Sequence, residues 1–194
     1  IPNDDLKLII RKSYDSFRNP SITPTKSVGN INILELFHGP TFAFKDVALQ
    51  FLGNLFEYFL KKRNHPLRIL GATSGDTGSA TIQSFRGKNK IDVFMIFPKG
   101  RISTIQEKQM TTVLDHNVHN LALEGTFDDA QAIVKNIFKD KDFKKKLFLG
   151  SVNSINWARI LAQIVYYFFA WFQVTSKDSD LVNFVVPTGN FGNV

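Results

Sequence analysis

The sequence contains no cysteine. Disulfides, thiolate metal sites and thiol nucleophiles are therefore excluded, a composition that fits a cytosolic protein. Acidic residues are outnumbered, 17 against 24 Lys and Arg, which leaves a net charge of +7. That excess reads first as solubility with a few solvated faces, and beside that as attraction for anions: nucleic acid, an acidic surface or phosphorylated metabolites. The densest basic run, residues 139–146 (KDKDFKKK), has acids mixed into it and reads as a solvated helix end or loop, not a nucleic-acid strip. Long hydrophobic runs are scarce. The most apolar stretch, 155–174, is interrupted by Asn156, Arg159 and Gln163 and reads as a buried helix, with no membrane span implied. No signal-peptide pattern is visible, and charges begin at Asp4. There is no internal repeat or low-complexity tract. His65, His116 and His119 show no ligand spacing, so no metal site is expected.

What remains is an ordinary globular composition, 43% hydrophobic and 21% charged, with a bulky core implied by 19 phenylalanines. Periodicity gives a first helix over 6–17, then a polar linker with Pro20 and Pro24, then a strand over 31–37. A helix opens near residue 46. After it, short apolar strands (67–72, 91–97, 118–123) alternate with helices (77–85, 104–114, 127–138). Such alternation predicts an α/β fold with parallel sheet flanked by helices. A loop over 150–154, the aromatic helix 155–174 and a final strand 181–186 complete the chain. The run Tyr166-Tyr167-Phe168-Phe169-Ala170-Trp171-Phe172 is expected in the core.

The stretch FHGPTFAFKDVALQFLGNL, residues 37–55, organises the rest. A Gly-Pro turn leads into Phe42, Ala43 and Phe44, which crowd Lys45, and Asp46 stands where a helix start wants a capping oxygen. Burying an ammonium costs several kcal/mol unless it is paired or deprotonated. A deprotonated lysine is a nucleophile that forms Schiff bases with aldehydes such as pyridoxal phosphate. The competing reading has Lys45 reaching solvent or pairing with Asp46. His38 either touches a ligand there or serves the turn.

Two glycine turns follow strands. Thr73-Ser74-Gly75-Asp76-Thr77-Gly78 opens a helix, so its N–H groups and the helix dipole suit an anion; a plain capped turn explains it equally well. Gly71, Gly75 and Gly78 also resemble a dinucleotide turn, with Lys99 and Arg101 where an NADP 2′-phosphate would lie. Thr188-Gly189-Asn190-Phe191-Gly192-Asn193 is the second turn, a possible phosphate nest or an ordinary strand end. Between them, Arg159 lies one turn into the aromatic helix, with Ser154 and Asn156 at its mouth. Its fork suits phosphate; alternatively it pairs with an acid while Ser154 caps the helix.

ELFHGPTFAFKD, ATSGDTGSA, FPKGRIS with QEKQM, NSIN-ARILAQ and VPTGNFGN occur in one order from about residue 35 to the end. This series resembles the threonine synthases, pyridoxal-phosphate enzymes of the tryptophan-synthase-β-like group. The resemblance implies a partial two-domain fold type II enzyme. Residues 1–30 would end an N-terminal region and linker, 31–59 and 146–194 would belong to a large cofactor-binding domain, and 60–145 would form a small α/β domain. It implies a cytoplasmic lyase of amino-acid biosynthesis, making threonine and phosphate from O-phospho-L-homoserine and water. Lys45 would hold pyridoxal 5′-phosphate and act as the base. Gly189, Asn190, Phe191, Gly192 and Asn193 would grip its phosphate, with Asp76 near the ring oxygen. Ser74, Gly75 and Thr77 would take the amino-acid carboxylate. Ser154, Asn156 and Arg159 would hold the substrate phosphate, helped by Lys99 and Lys108. It further implies a section of a longer polypeptide, with the residue facing the pyridine nitrogen beyond Val194. Two alternatives stand beside it: a threonine-synthase-like protein that binds the cofactor or a phospho-ligand without making threonine, and an NADP-binding domain.

Overall fold

The computed structural model describes all residues except 153–155 and 189–190. The expected α/β architecture is present. Four strands, β3 (Leu67–Ala72), β4 (Ile91–Pro98), β5 (Val118–Leu123) and β6 (Leu149–Gly150), form one sheet in the order β5-β4-β3-β6. Every pairing is parallel. The preceding strands, β1 (Thr25–Val28) and β2 (Ile31–Leu34), make a separate antiparallel pair.

Alternation along the strands gives the sheet its two faces. Ile69, Val93, Met95 and Phe97 point to one side. They pack with Leu49 and Leu52 of α2 (Lys45–Arg63), Ile82 and Phe85 of α3 (Asp76–Phe85), and Met110 of α4 (Thr104–Thr111). Leu70 and Ile96 point to the other side, onto Ala130, Val134 and Ile137 of α5 (Phe127–Lys139). Helix starts are chemically marked. Thr126 and Asp129 form a reciprocal capping box on α5, and Ser103 caps α4. Asp140 caps the short α6 (Lys141–Lys146), which buries no side chain, as a solvated basic run should. The remaining helices, α1 (Asn3–Tyr14) and α7 (Trp157–Val174), both pack on α2.

Three expectations change. No strand forms over 181–186: among the described residues no strand lies beside it, and Leu181 and Val185 are more than nine-tenths exposed. A strand's backbone groups need a neighbour, which apolar sequence alone does not provide. β1 forms within the expected linker region and β6 takes Gly150 from the expected loop, because four residues and two residues are too short to show a period. The aromatic run of α7 is not all core. Tyr166 and Ala170 are buried, but Phe168, Phe169 and Phe172 are exposed. The helix turns Arg159, Ala162, Gln163, Tyr166 and Ala170 inward, a stripe at helical spacing that carries its polar residues.

Candidate active site

The site begins at the turn before α2. A Cβ at Gly39 would overlap the Asp46 carboxyl, so only glycine lets this turn close. Asp46 does not cap its own helix. Its carboxylate reaches back to accept from the Thr41 N–H at 2.7 Å and the Thr41 hydroxyl at 2.8 Å. Asp46 is fully buried there. Burial pushes its carboxyl up, and the Thr41 hydrogen bonds pull against that shift. Asp46 is thereby removed as a partner for Lys45. Phe42 is also elsewhere, exposed beneath the Arg18 guanidinium at 3.9 Å. His38 serves the turn, bonded to Glu35 at 2.7 Å.

Lys45 is buried, as its neighbours in sequence predict. Its Nζ lies 4.7 Å from the Phe44 ring centre and donates to Asp76 Oδ2 at 3.2 Å. Asp76 stands at the first turn of α3, half exposed. The loop that delivers it needs Gly75 at φ +139°, a backbone setting other residues rarely adopt. Thr73 Oγ1 accepts from the Gly75 and Gly78 N–H groups, so two of the turn's donors are spent inside it. Ser74 is exposed and Thr77 half-buried on the same turn. Gly71 is not part of that turn. It lies inside β3 against Met95, and Gly78 lies inside α3 against Met110 and Thr73, so the three glycines do not form a dinucleotide loop.

Two α4 residues complete this region, and neither was assigned from sequence. The Gln106 amide donates to Asp76 Oδ1 and lies directly over Gly75, where a Cβ would overlap it. Ser103 donates to Gln106 Oε1 at 3.0 Å, which orients the amide. Gln109 donates to the Thr41 carbonyl at 3.3 Å, tying α4 to the lysine turn. The QEKQM segment was visible, but nothing in its spacing says which glutamine meets which loop. Lys99 forms a surface ion pair with Glu124 at 2.8 Å, and Lys108 is exposed.

Arg159 is 1% exposed on α7. Its Nε donates to Gln163 Oε1 at 3.2 Å, while Nη1 and Nη2 have no hydrogen-bond partner among the described residues. No acid answers it there. Burial pushes the guanidinium below its ordinary value, and the nearby Tyr166 works in the opposite direction. Asn156 caps α7, accepting from Ala158 N–H at 3.0 Å and Arg159 N–H at 3.4 Å. Gln163 Nε2 donates to the Gly192 carbonyl at 2.7 Å, and the Tyr167 hydroxyl donates to the Asn193 carbonyl. The turn through Phe191 (φ 57°), Gly192 and Asn193 is thus docked on α7. Ser154, Gly189 and Asn190 lie outside the described residues.

A parallel sheet bearing a glycine turn at a strand end, with a buried lysine across from it, is the architecture of an α/β ligand-binding enzyme. The chain belongs to the pyridoxal-phosphate dependent enzyme family, whose description matches residues 24–194. It is 58% identical to the threonine synthase of Saccharomyces cerevisiae over 208 aligned positions, covering all of this chain and 40% of that protein. It is 43% identical to "Threonine synthase-like 2" of Xenopus laevis, again covering all of this chain and 42% of the relative. The structure of PLP-bound threonine synthase from Brucella melitensis superposes with a TM-score of 0.93 at 48% identity, over all of this chain and 42% of that one. The chain therefore spans about two-fifths of the length of the curated relatives it matches.

Proposed function

We propose that these residues are the catalytic part of a threonine synthase, which converts O-phospho-L-homoserine and water to L-threonine and phosphate. The observation that carries this reading is the buried Arg159, with both Nη nitrogens left without partners among the described residues. A buried guanidinium so arranged is costly unless an anion comes to it. A phosphate accepts both donors of the fork at once.

The residues fit the cofactor as well. Lys45 is a buried amine approached by a single carboxylate, and it would be the covalent attachment point for pyridoxal phosphate. When bound, that group serves as an electron sink for carbon acids. Phe191, Gly192 and Asn193, with Gly189 and Asn190, would hold its phosphate, and Asp76 would stand beside its ring oxygen. Lys45 Nζ would take the proton from the substrate α carbon and then from the β carbon. Ser74, Gly75 and Thr77 would hold the carboxylate at the start of α3. Arg159, with Ser154 and Asn156, would hold the substrate phosphate and keep it aligned as the Cγ–O bond breaks. The two protons taken from the α and β carbons would return to the γ carbon, which becomes a methyl, and to the α carbon, while water would give its hydroxyl to the β carbon and its proton to the departing phosphate.

The division into a larger part (31–59 and 146–194) and a smaller one (60–145) belongs to the same reading, as does a cytoplasmic location. Among the described residues no helix is long and apolar enough to cross a membrane.

The 43% identity to a threonine synthase-like protein supports a second reading, cofactor or phospho-ligand binding without threonine formation. One experiment separates them. The full-length protein is examined for visible absorption, reduced with borohydride and peptide-mapped, then assayed for phosphate and threonine from phosphohomoserine. A reduced chromophore on the Lys45 peptide with threonine formed supports the synthase. The chromophore without threonine favours the second reading. Its absence after reconstitution, or trapping on another lysine, overturns the synthase reading and the Lys45 assignment, and leaves only phospho-ligand binding from the second.

A further inference from the structure

Gln163 is buried, at 6% exposure, and both ends of its amide are used. Oε1 accepts from Arg159 Nε at 3.2 Å. Nε2 donates to the Gly192 carbonyl at 2.7 Å. The two residues it joins are 33 positions apart in sequence and lie on different elements, the first turn of α7 and the terminal glycine turn. Helical spacing explains half of this, because residues four apart share a face. The other half is tertiary.

The consequence for Arg159 is geometric. A guanidinium is planar, so fixing Nε fixes the direction of the Nη1 and Nη2 fork. Those are the two donors with no partner among the described residues. No ion pair with a described acid competes to orient the group. The consequence for the turn is equally direct. Its Gly192 carbonyl is held by the same side chain that sets the arginine.

We propose that Gln163 is a positioning residue that couples two anion sites, aiming Arg159 at a substrate phosphate and holding the Phe191–Val194 turn for a cofactor phosphate. This rests on the reading given above for Arg159 and the turn. Displacement of the turn and loss of arginine orientation are then one event. Filling the cofactor site firms the grip on a phosphorylated substrate.

The test uses the full-length holoenzyme and two variants, Gln163→Leu and the isosteric Gln163→Glu. Four quantities are read: the dissociation constant for pyridoxal phosphate from titration of the apoprotein, inhibition by inorganic phosphate, KM against kcat for phosphohomoserine, and the melting temperature. A hydrogen bond to a charged group corresponds to about a ten- to hundredfold change in binding. Gln163→Leu should therefore weaken phosphate inhibition by that order and cofactor binding by about two- to tenfold, the range of a neutral hydrogen bond, with KM rising more than kcat falls. In an Arg159→Met background Gln163→Leu should still weaken cofactor binding, because its contact with the Gly192 carbonyl does not run through the arginine. Gln163→Glu keeps an acceptor for Nε but sets a carboxylate against the Gly192 carbonyl and neutralises Arg159, so both affinities should again fall. If either folded variant changes only the melting temperature, leaving both affinities within twofold of wild type, the coupling is overturned. A wild-type protein that binds neither pyridoxal phosphate nor inorganic phosphate overturns the underlying reading, and this inference with it.

Discussion

Lys45 Nζ and Asp76 Oδ2 lie 3.2 Å apart, joining a buried amine at the start of α2 to a half-exposed carboxylate at the start of α3. The adjacent Asp46 takes no part, because Thr41 holds it. The lysine's partner is thus supplied from 31 residues away, across the turn that Gly75 makes possible.

Lys45→Ala in the full-length protein should abolish the borohydride-trapped adduct on its peptide. Turnover should fall by at least about 10²–10⁴, the range that general base catalysis supplies. Mass spectrometry of the reduced digest and a phosphate-release assay check this. Wild-type turnover in the variant would remove Lys45 from the chemistry.

Asp76→Asn replaces the carboxylate that holds the Lys45 amine at 3.2 Å with a neutral and weaker acceptor, which frees the amine. In the apoprotein, acylation of Lys45 at neutral pH should accelerate, as followed by peptide mapping against time. An unchanged labelling rate would mean that the carboxylate does not govern this amine.

Arg159→Met should separate stability from function. Arg159 is a buried charge with no acid beside it among the described residues, and an apolar chain of similar length escapes its desolvation cost. The variant should therefore resist denaturant better than wild type without ligands, while losing inhibition by inorganic phosphate. A loss of stability would show that the guanidinium is compensated by more than its Nε bond to Gln163.

Gly75→Ala places a Cβ at φ +139°, where it would overlap the Gln106 amide. Such backbone settings cost about 1–3 kcal/mol in residues other than glycine. Equilibrium denaturation should report that loss, together with weaker ligand binding as α4 is displaced.

Glu57 gives a pH signature. It is buried and lies 3.4 Å from Lys12, 3.4 Å from Lys61 and 3.6 Å from Lys88. Burial acts to raise its carboxyl, but Lys88, Lys12 and Lys61 outweigh that and hold it below the ordinary 4.5. A lowered folded-state value means the stabilisation is complete above about 4.5 and is lost as pH falls below it. Wild type should therefore exceed Glu57→Gln in stability at pH 7, and the gap should close on acidification below 4.5. Denaturant midpoints across that range test the sign.

The alternation of strands and helices was legible because each strand of the main sheet is a short apolar run bounded by turn residues. β3 and β5 fall where the pattern puts them, and α3 and α5 differ by one residue at an end. The burial of Lys45 was legible too, since its turn and the apolar helix behind it are contiguous. Gln106 carried no signal. A glutamine near a helix start is ordinary, and only the packing of α4 over Gly75 gives it Asp76 as a partner.

The sequence by itself determined the α/β class, the order of the main elements, the glycine turns at Gly39 and Gly75 and the buried lysine, because these depend on residues adjacent in the chain. Only the tertiary structure decided which acid meets Lys45, which way the aromatic helix faces, and that Gln163 ties Arg159 to the terminal turn. Those relationships join side chains whose separation is set by how helices seat on the sheet and on one another. Local propensity and period carry no record of that seating.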